Sequence, residues 1–94
     1  MPAGSFQRYD LGTVGAGSEV SVTLSTGANV RLMTATELQN YRSGRAHRYY
    51  GGLARRSPLK LTVPHTDHWF VTIDLNGLAA RTVTTRVQVK RTDD

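Results

Sequence analysis

The sequence predicts an all-β fold: an antiparallel β-sandwich, jelly-roll-like, of about seven strands with one short helix. Three observations predict it. Apolar and polar residues alternate with period two in several short runs, the mark of strands with one buried face. Turn residues interrupt these runs at short intervals, which favours a sandwich over a parallel α/β fold. Helix signals occur in one place only.

Met1 to Ser5 has no pattern and is expected to fray. Phe6 to Val14 reads as a first strand, with Tyr9, Leu11 and Thr13 on one side. Gly15-Ala16-Gly17 turns the chain. Glu19 to Thr26 alternates cleanly, Val20, Val22 and Leu24 inward. After Gly27-Ala28, Asn29 to Met33 alternates again with Val30 and Leu32 inward. Thr34-Ala35-Thr36-Glu37 has the spacing of a capping box, in which hydroxyl and carboxylate both satisfy first-turn amides. Leu38 and Tyr41 then share one helix face, Gly44 suits a left-handed cap, and Arg42 and Arg45 complement the helix dipole. Arg48 to Ala54 reads as a strand that Gly51-Gly52 weakens or bulges. Ser57-Pro58 marks an edge or turn, and Leu59 to Val63 alternates. His68 to Leu75 is the strongest strand, with Trp69, Val71, Ile73 and Leu75 inward and Phe70, Thr72 and Asp74 outward. Asn76-Gly77 is a turn dipeptide. Thr82 to Arg91 closes the fold through Val83, Val87 and Val89, and Thr92 to Asp94 is a polar tail.

Ninety-four residues suit one domain, 1–94, with an ordered core over about 6–91 and no linker. The core of so short a chain is small. Mean hydropathy of −0.38 fits a folded, soluble domain. No apolar run is long enough for a membrane helix, and the first ten residues lack a signal-peptide pattern. With no cysteine, thiol catalysis and thiolate metal sites are excluded, and a cytoplasmic location is the expectation. The net charge of +5 favours anionic partners. Ten of the twelve cations are arginine, a bias that genome base composition can also produce.

The most unusual stretch is Tyr41 to Gly52, YRSGRAHRYYGG. No carboxylate occurs between Glu37 and Asp67, a span that also holds Arg55, Arg56 and Lys60. Arginine recognises phosphate or carboxylate with two parallel hydrogen bonds, and tyrosine packs at interfaces or stacks on bases. Arg42, Arg45, His47, Arg48, Tyr50, Arg55 and Arg56 are therefore the candidate binding surface. The occupant is expected to be a protein partner or an acidic ligand; a nucleic acid or other polyanion is the alternative, and self-association through an exposed edge strand is compatible with the fold. Tyr49 and Tyr50 point to opposite faces of a strand, so only one is expected to be exposed with the arginines; the competing structural reading has Tyr41 and one of these two in the core, the glycines in a bulge and the arginines solvated.

Catalytic patterns are weak. There is no G-x-S-x-G, the carboxylates are scattered, and Gly12 to Gly17 lacks the Lys-Ser/Thr ending of a phosphate loop. His47, His65 and His68 are the weak candidates for a metal site, with Asp67 or Asp74 as a carboxylate ligand. The chain is expected to be neither an enzyme nor dependent on a cofactor.

Six segments carry a family resemblance: YDLG (Tyr9 to Gly12), ANVRLM (Ala28 to Met33), NYRSGRAHRYYGG (Asn40 to Gly52), Ser57-Pro58, VPH (Val63 to His65) and HWFVTIDL (His68 to Leu75). Through them the chain resembles the bacterial domain-of-unknown-function family 1883, from about Phe6 to about Val89. The resemblance implies a compact all-β domain without an assigned activity. Members of that family are sometimes joined to a Toll/interleukin-1-receptor-like domain, which implies a sensing or adaptor role. No catalytic residue is implied.

Overall fold

The computed structural model describes residues 6–91; Met1 to Ser5 and the polar tail Thr92 to Asp94 lie outside the described residues. Seven strands and one helix follow in the order β1 (Gln7–Val14), β2 (Glu19–Leu24), β3 (Ala28–Thr34), α1 (Ala35–Arg42), β4 (Tyr50–Ala54), β5 (Leu59–Thr62), β6 (Asp67–Asp74) and β7 (Thr85–Lys90). They form a sandwich of two antiparallel sheets, one ordered β1-β6-β3-β4 and the other β5-β2-β7. Only β3 and β4 are consecutive strands in one sheet, and α1 is inserted between them.

The alternating residues meet between the sheets. Val20, Val22 and Leu24 of β2 pack against Val30 and Leu32 of β3 and Trp69, Val71 and Ile73 of β6, all buried. The outer face of the four-stranded sheet has its own apolar cluster under α1: Met33, Leu38, Tyr41 and Phe70, with Phe6 against it. Phe70 is outward-facing, as its alternation predicts, but buried because the helix covers it.

Two local expectations are corrected. In β1, Tyr9 and Leu11 pack against the core but Thr13 does not: the register with β6 shifts between Asp10 and Gly12, so Thr13 turns to solvent and Val14 becomes buried. One extra residue reverses the alternation downstream. Asp10 Oδ1 accepts from the Gly12 amide at 2.8 Å and holds the bulge, with Gly12 at φ +69°. Gly51-Gly52, by contrast, makes no bulge, and β3–β4 pairing runs unbroken from Ala28↔Ala54 to Leu32↔Tyr50. Gly51 is needed for another reason. At φ +112° a Cβ would stand 2.4 Å from the Val30 carbonyl oxygen, so only glycine lets β4 lie this close to β3.

The capping box is half realised. Thr34 Oγ1 accepts from the Glu37 amide at 3.4 Å, but Glu37 Oε1 accepts the Arg48 amide at 2.7 Å, fastening the returning loop to the first turn of α1. At the other end, Gly44 (φ +74°) donates to Tyr41 O and the Arg45 amide to Asn40 O, a Schellman closure.

Candidate functional site

The loop from Ser43 to Tyr49 lies over a polar centre on the outer face of the four-stranded sheet. Arg31 of β3 and Asp74 of β6 point outward there, and Arg31 Nη1 meets Asp74 Oδ2 at 2.7 Å with the carboxylate side chain only 1% exposed. Asp74 is fully used: Oδ1 accepts from Asn29 Nδ2 and the Asn76 amide, and Oδ2 also accepts from the Tyr41 hydroxyl at 3.2 Å. Burial first, and then the Asp74 charge, push the Tyr41 phenol above its ordinary value, so it stays a donor. The Arg31 guanidinium lies over both Tyr41 (5.5 Å) and Tyr49 (5.2 Å). The His47 ring sits between the same two tyrosines, at 5.0 and 5.5 Å, and its Nδ1 bonds Arg45 O at 3.1 Å. Arg31 Nε, His47 Nε2 and Thr72 Oγ1 are buried without a protein partner. Such a centre costs stability as well as supplying it. What it does is positional: it fixes Tyr49, and with it the start of β4.

β4 is the edge of its sheet. Among the described residues the exposed large apolar side chains are Tyr49 (42%), Tyr50 (46%) and Leu53 (46%), all on or next to this strand. Arg48 precedes it and Arg55 and Arg56 follow it, all exposed. Its spatial neighbour in the facing sheet is β5, whose Leu61 lies 3.5 Å from the Cβ position of Gly51. Thus β4 and β5, together with the acid-free chain around them, form one side of the sandwich.

The candidate residues read from sequence are distributed unevenly. Arg48, Tyr50, Arg55 and Arg56 line β4. Arg42 and Arg45 are exposed at the C-terminal end of α1. His47 is half-buried between Tyr41 and Tyr49 and adds little open surface. Tyr49 and Tyr50 take opposite faces, and both are exposed: Tyr49 lies over Arg31, and Tyr50 meets the edge of Trp69 at 6.0 Å. Trp69 itself is core, 1% exposed. Sequence reasoning left Tyr49, Leu53 and Arg31 out of the candidate surface and named Asp74 only as a metal-ligand candidate. The alternation of NVRLM already places Arg31 on an outward face beside Met33; the exposure of Leu53 follows only from β4 being an edge.

The three histidines are kept apart. His65 packs on Trp69 at 5.0 Å with Nε2 3.5 Å from Asp67 Oδ2. His68 stacks on Phe70 and bonds Asp10 Oδ1 at 2.6 Å. The Gly12 amide foremost, then His68, hold the Asp10 carboxyl below its ordinary value. Among the described residues no three His, Asp or Glu side chains are grouped to hold a metal ion. Next to the polar centre a groove of about 540 Å³ runs between Phe6, Asp74 and Arg81, but its buried acid is already saturated with hydrogen bonds.

The sequence pattern of the domain of unknown function DUF1883 matches residues 5–93, and the chain belongs to that family. Comparison with curated proteins yields no match, and neither does comparison with solved structures.

Proposed function

We propose that this DUF1883 domain is a non-catalytic recognition module that binds an acidic partner protein through the open side of its sandwich, along β4. One observation carries the reading: among the described residues the exposed large apolar side chains all gather at one edge strand, with Arg48, Arg55 and Arg56 at its ends and no carboxylate from residue 38 to residue 66. Exposed tyrosine and arginine are the residue types that dominate interface energetics. Among the described residues no helix is long and apolar enough to cross a membrane.

Titration with poly-L-glutamate at low and moderate salt, with DNA in parallel, tests this. Poly-L-glutamate binding is expected, lost in Arg48→Glu/Arg55→Glu/Arg56→Glu and weakened about tenfold by Tyr50→Ala/Leu53→Ala, the size of an ordinary interface anchor. DNA binding that is tighter and falls steeply with salt would put a nucleic-acid module in its place. No binding of either polymer would refute both readings.

A further inference from the structure

We infer that the partner docks by strand addition: an extended acidic segment pairs its main chain with the free edge of β4 and sets carboxylates against Arg48 at one end and Arg55 and Arg56 at the other. The inference rests on the recognition reading above and adds its geometry.

A sheet edge carries a row of main-chain donors and acceptors with no strand beside them. The sandwich has four edges, and they are not equivalent. β1 is tied to β7 and to the residues flanking it: Tyr9 hydroxyl to Thr85 Oγ1, Gln7 Nε2 to Val83 O at 3.3 Å, and Arg91 to Leu11 O and Thr13 O. β5 has four residues and no exposed large apolar side chain. β4 alone combines a free edge with apolar anchors. Its pairing with β3 runs without a shift from Ala28↔Ala54 to Leu32↔Tyr50, with Gly51 and Gly52 at positive φ in the middle. At Gly52 a Cβ would meet nothing within 4 Å, so the strand face next to Tyr50 is uncovered there.

Charge selects the occupant. A second copy of this chain pairing antiparallel along β4 would bring Arg48 of one copy beside Arg55 and Arg56 of the other, and parallel pairing would set Arg48 beside Arg48. Like charges face each other both ways, which disfavours the pair. An acidic segment reverses the sign at both ends. Arg48 and Arg55 are seven residues apart, about 23 Å of extended chain, so the segment should carry its carboxylates about seven residues apart. Strand addition draws affinity from main-chain hydrogen bonds and selectivity from alternate side chains. Tyr50 and Leu53 would supply the apolar contacts.

The probe is a displayed library of random twelve-residue peptides, selected on the full chain, followed by N-methylation of the winning peptide at alternate amides. The expected result is enrichment of peptides with acidic groups about seven residues apart. Their binding should be lost in Arg48→Glu/Arg55→Glu/Arg56→Glu, whose fold is checked by circular dichroism. It should weaken at least tenfold on N-methylation at one alternate set of amides but not the other. Acidic winners indifferent to both sets would overturn strand addition and leave acidic recognition standing. Enrichment of neutral or basic peptides, or none at all, would overturn both.

Discussion

The two sides of this sandwich are built differently. Along β1 and β7 the sheets are stitched by side chains: Tyr9, Gln7 and Thr85 form one hydrogen-bonded group, and Arg91 reaches across to two β1 carbonyls. Along β4 and β5, among the described residues, no side-chain hydrogen bond joins the strands, and they meet through Leu61 and the bare backbone of Gly51. Arginine serves both sides in opposite ways. Arg91 spends its donors within the fold, whereas Arg48, Arg55 and Arg56 stand exposed beside Tyr50 and Leu53. The stitched side satisfies its polar groups internally, whereas the β4 side leaves Tyr50 and Leu53 open to solvent.

Substitutions can break this contrast. The largest effect is expected at Asp74→Ala, which strands the Arg31 charge beneath Tyr41 and Tyr49; removing one member of a buried pair costs about 3–5 kcal/mol. Urea unfolding should show that loss. Native-state hydrogen exchange should show β4 loosening before β1. Gly51→Ala comes next, at about 2–3 kcal/mol, because a left-handed φ and a clash with Val30 O act together. A thermal scan showing no loss would mean that β4 can shift away from β3.

On the stitched side, Tyr9→Phe removes the hydroxyl bonded to Thr85 and should cost about 1 kcal/mol by denaturant titration. Asp10 sharpens the picture through pH. Its folded-state pKa lies below 3.8, so the carboxylate's contribution is full above pH 3.8 and is lost as pH falls through the lower folded value. The stability gap between wild type and Asp10→Ala should therefore narrow only below pH 3.8 in acid-unfolding curves. The smallest effect is expected on the open side: Arg55→Glu and Arg56→Glu should each stay within about 0.5 kcal/mol of wild type.

Much of the fold is legible in the sequence because alternation reports burial directly. The inward residues of β2, β3 and β6 are the core, and Thr34 and Gly44 do bracket the helix. What alternation cannot carry is strand order. Tyr49 and Leu53 look like any outward residues of a strand, and only the placement of β4 at an edge makes them exposed anchors. The Arg31–Asp74 pair is hidden for the same reason: its members are 43 residues apart and meet because β3 and β6 are neighbours. The β1 bulge turns on a local hydrogen bond from Gly12 to Asp10, which the period-two pattern does not encode.

The most direct test is to map amide chemical shifts of the ¹⁵N-labelled chain during titration with poly-L-glutamate. The account predicts that the largest changes fall on Arg48 to Arg56 and leave β1 and β7 quiet. Largest changes along β1 and β7, or on the outer face of the three-stranded sheet around Lys60, Arg86 and Lys90, would contradict it.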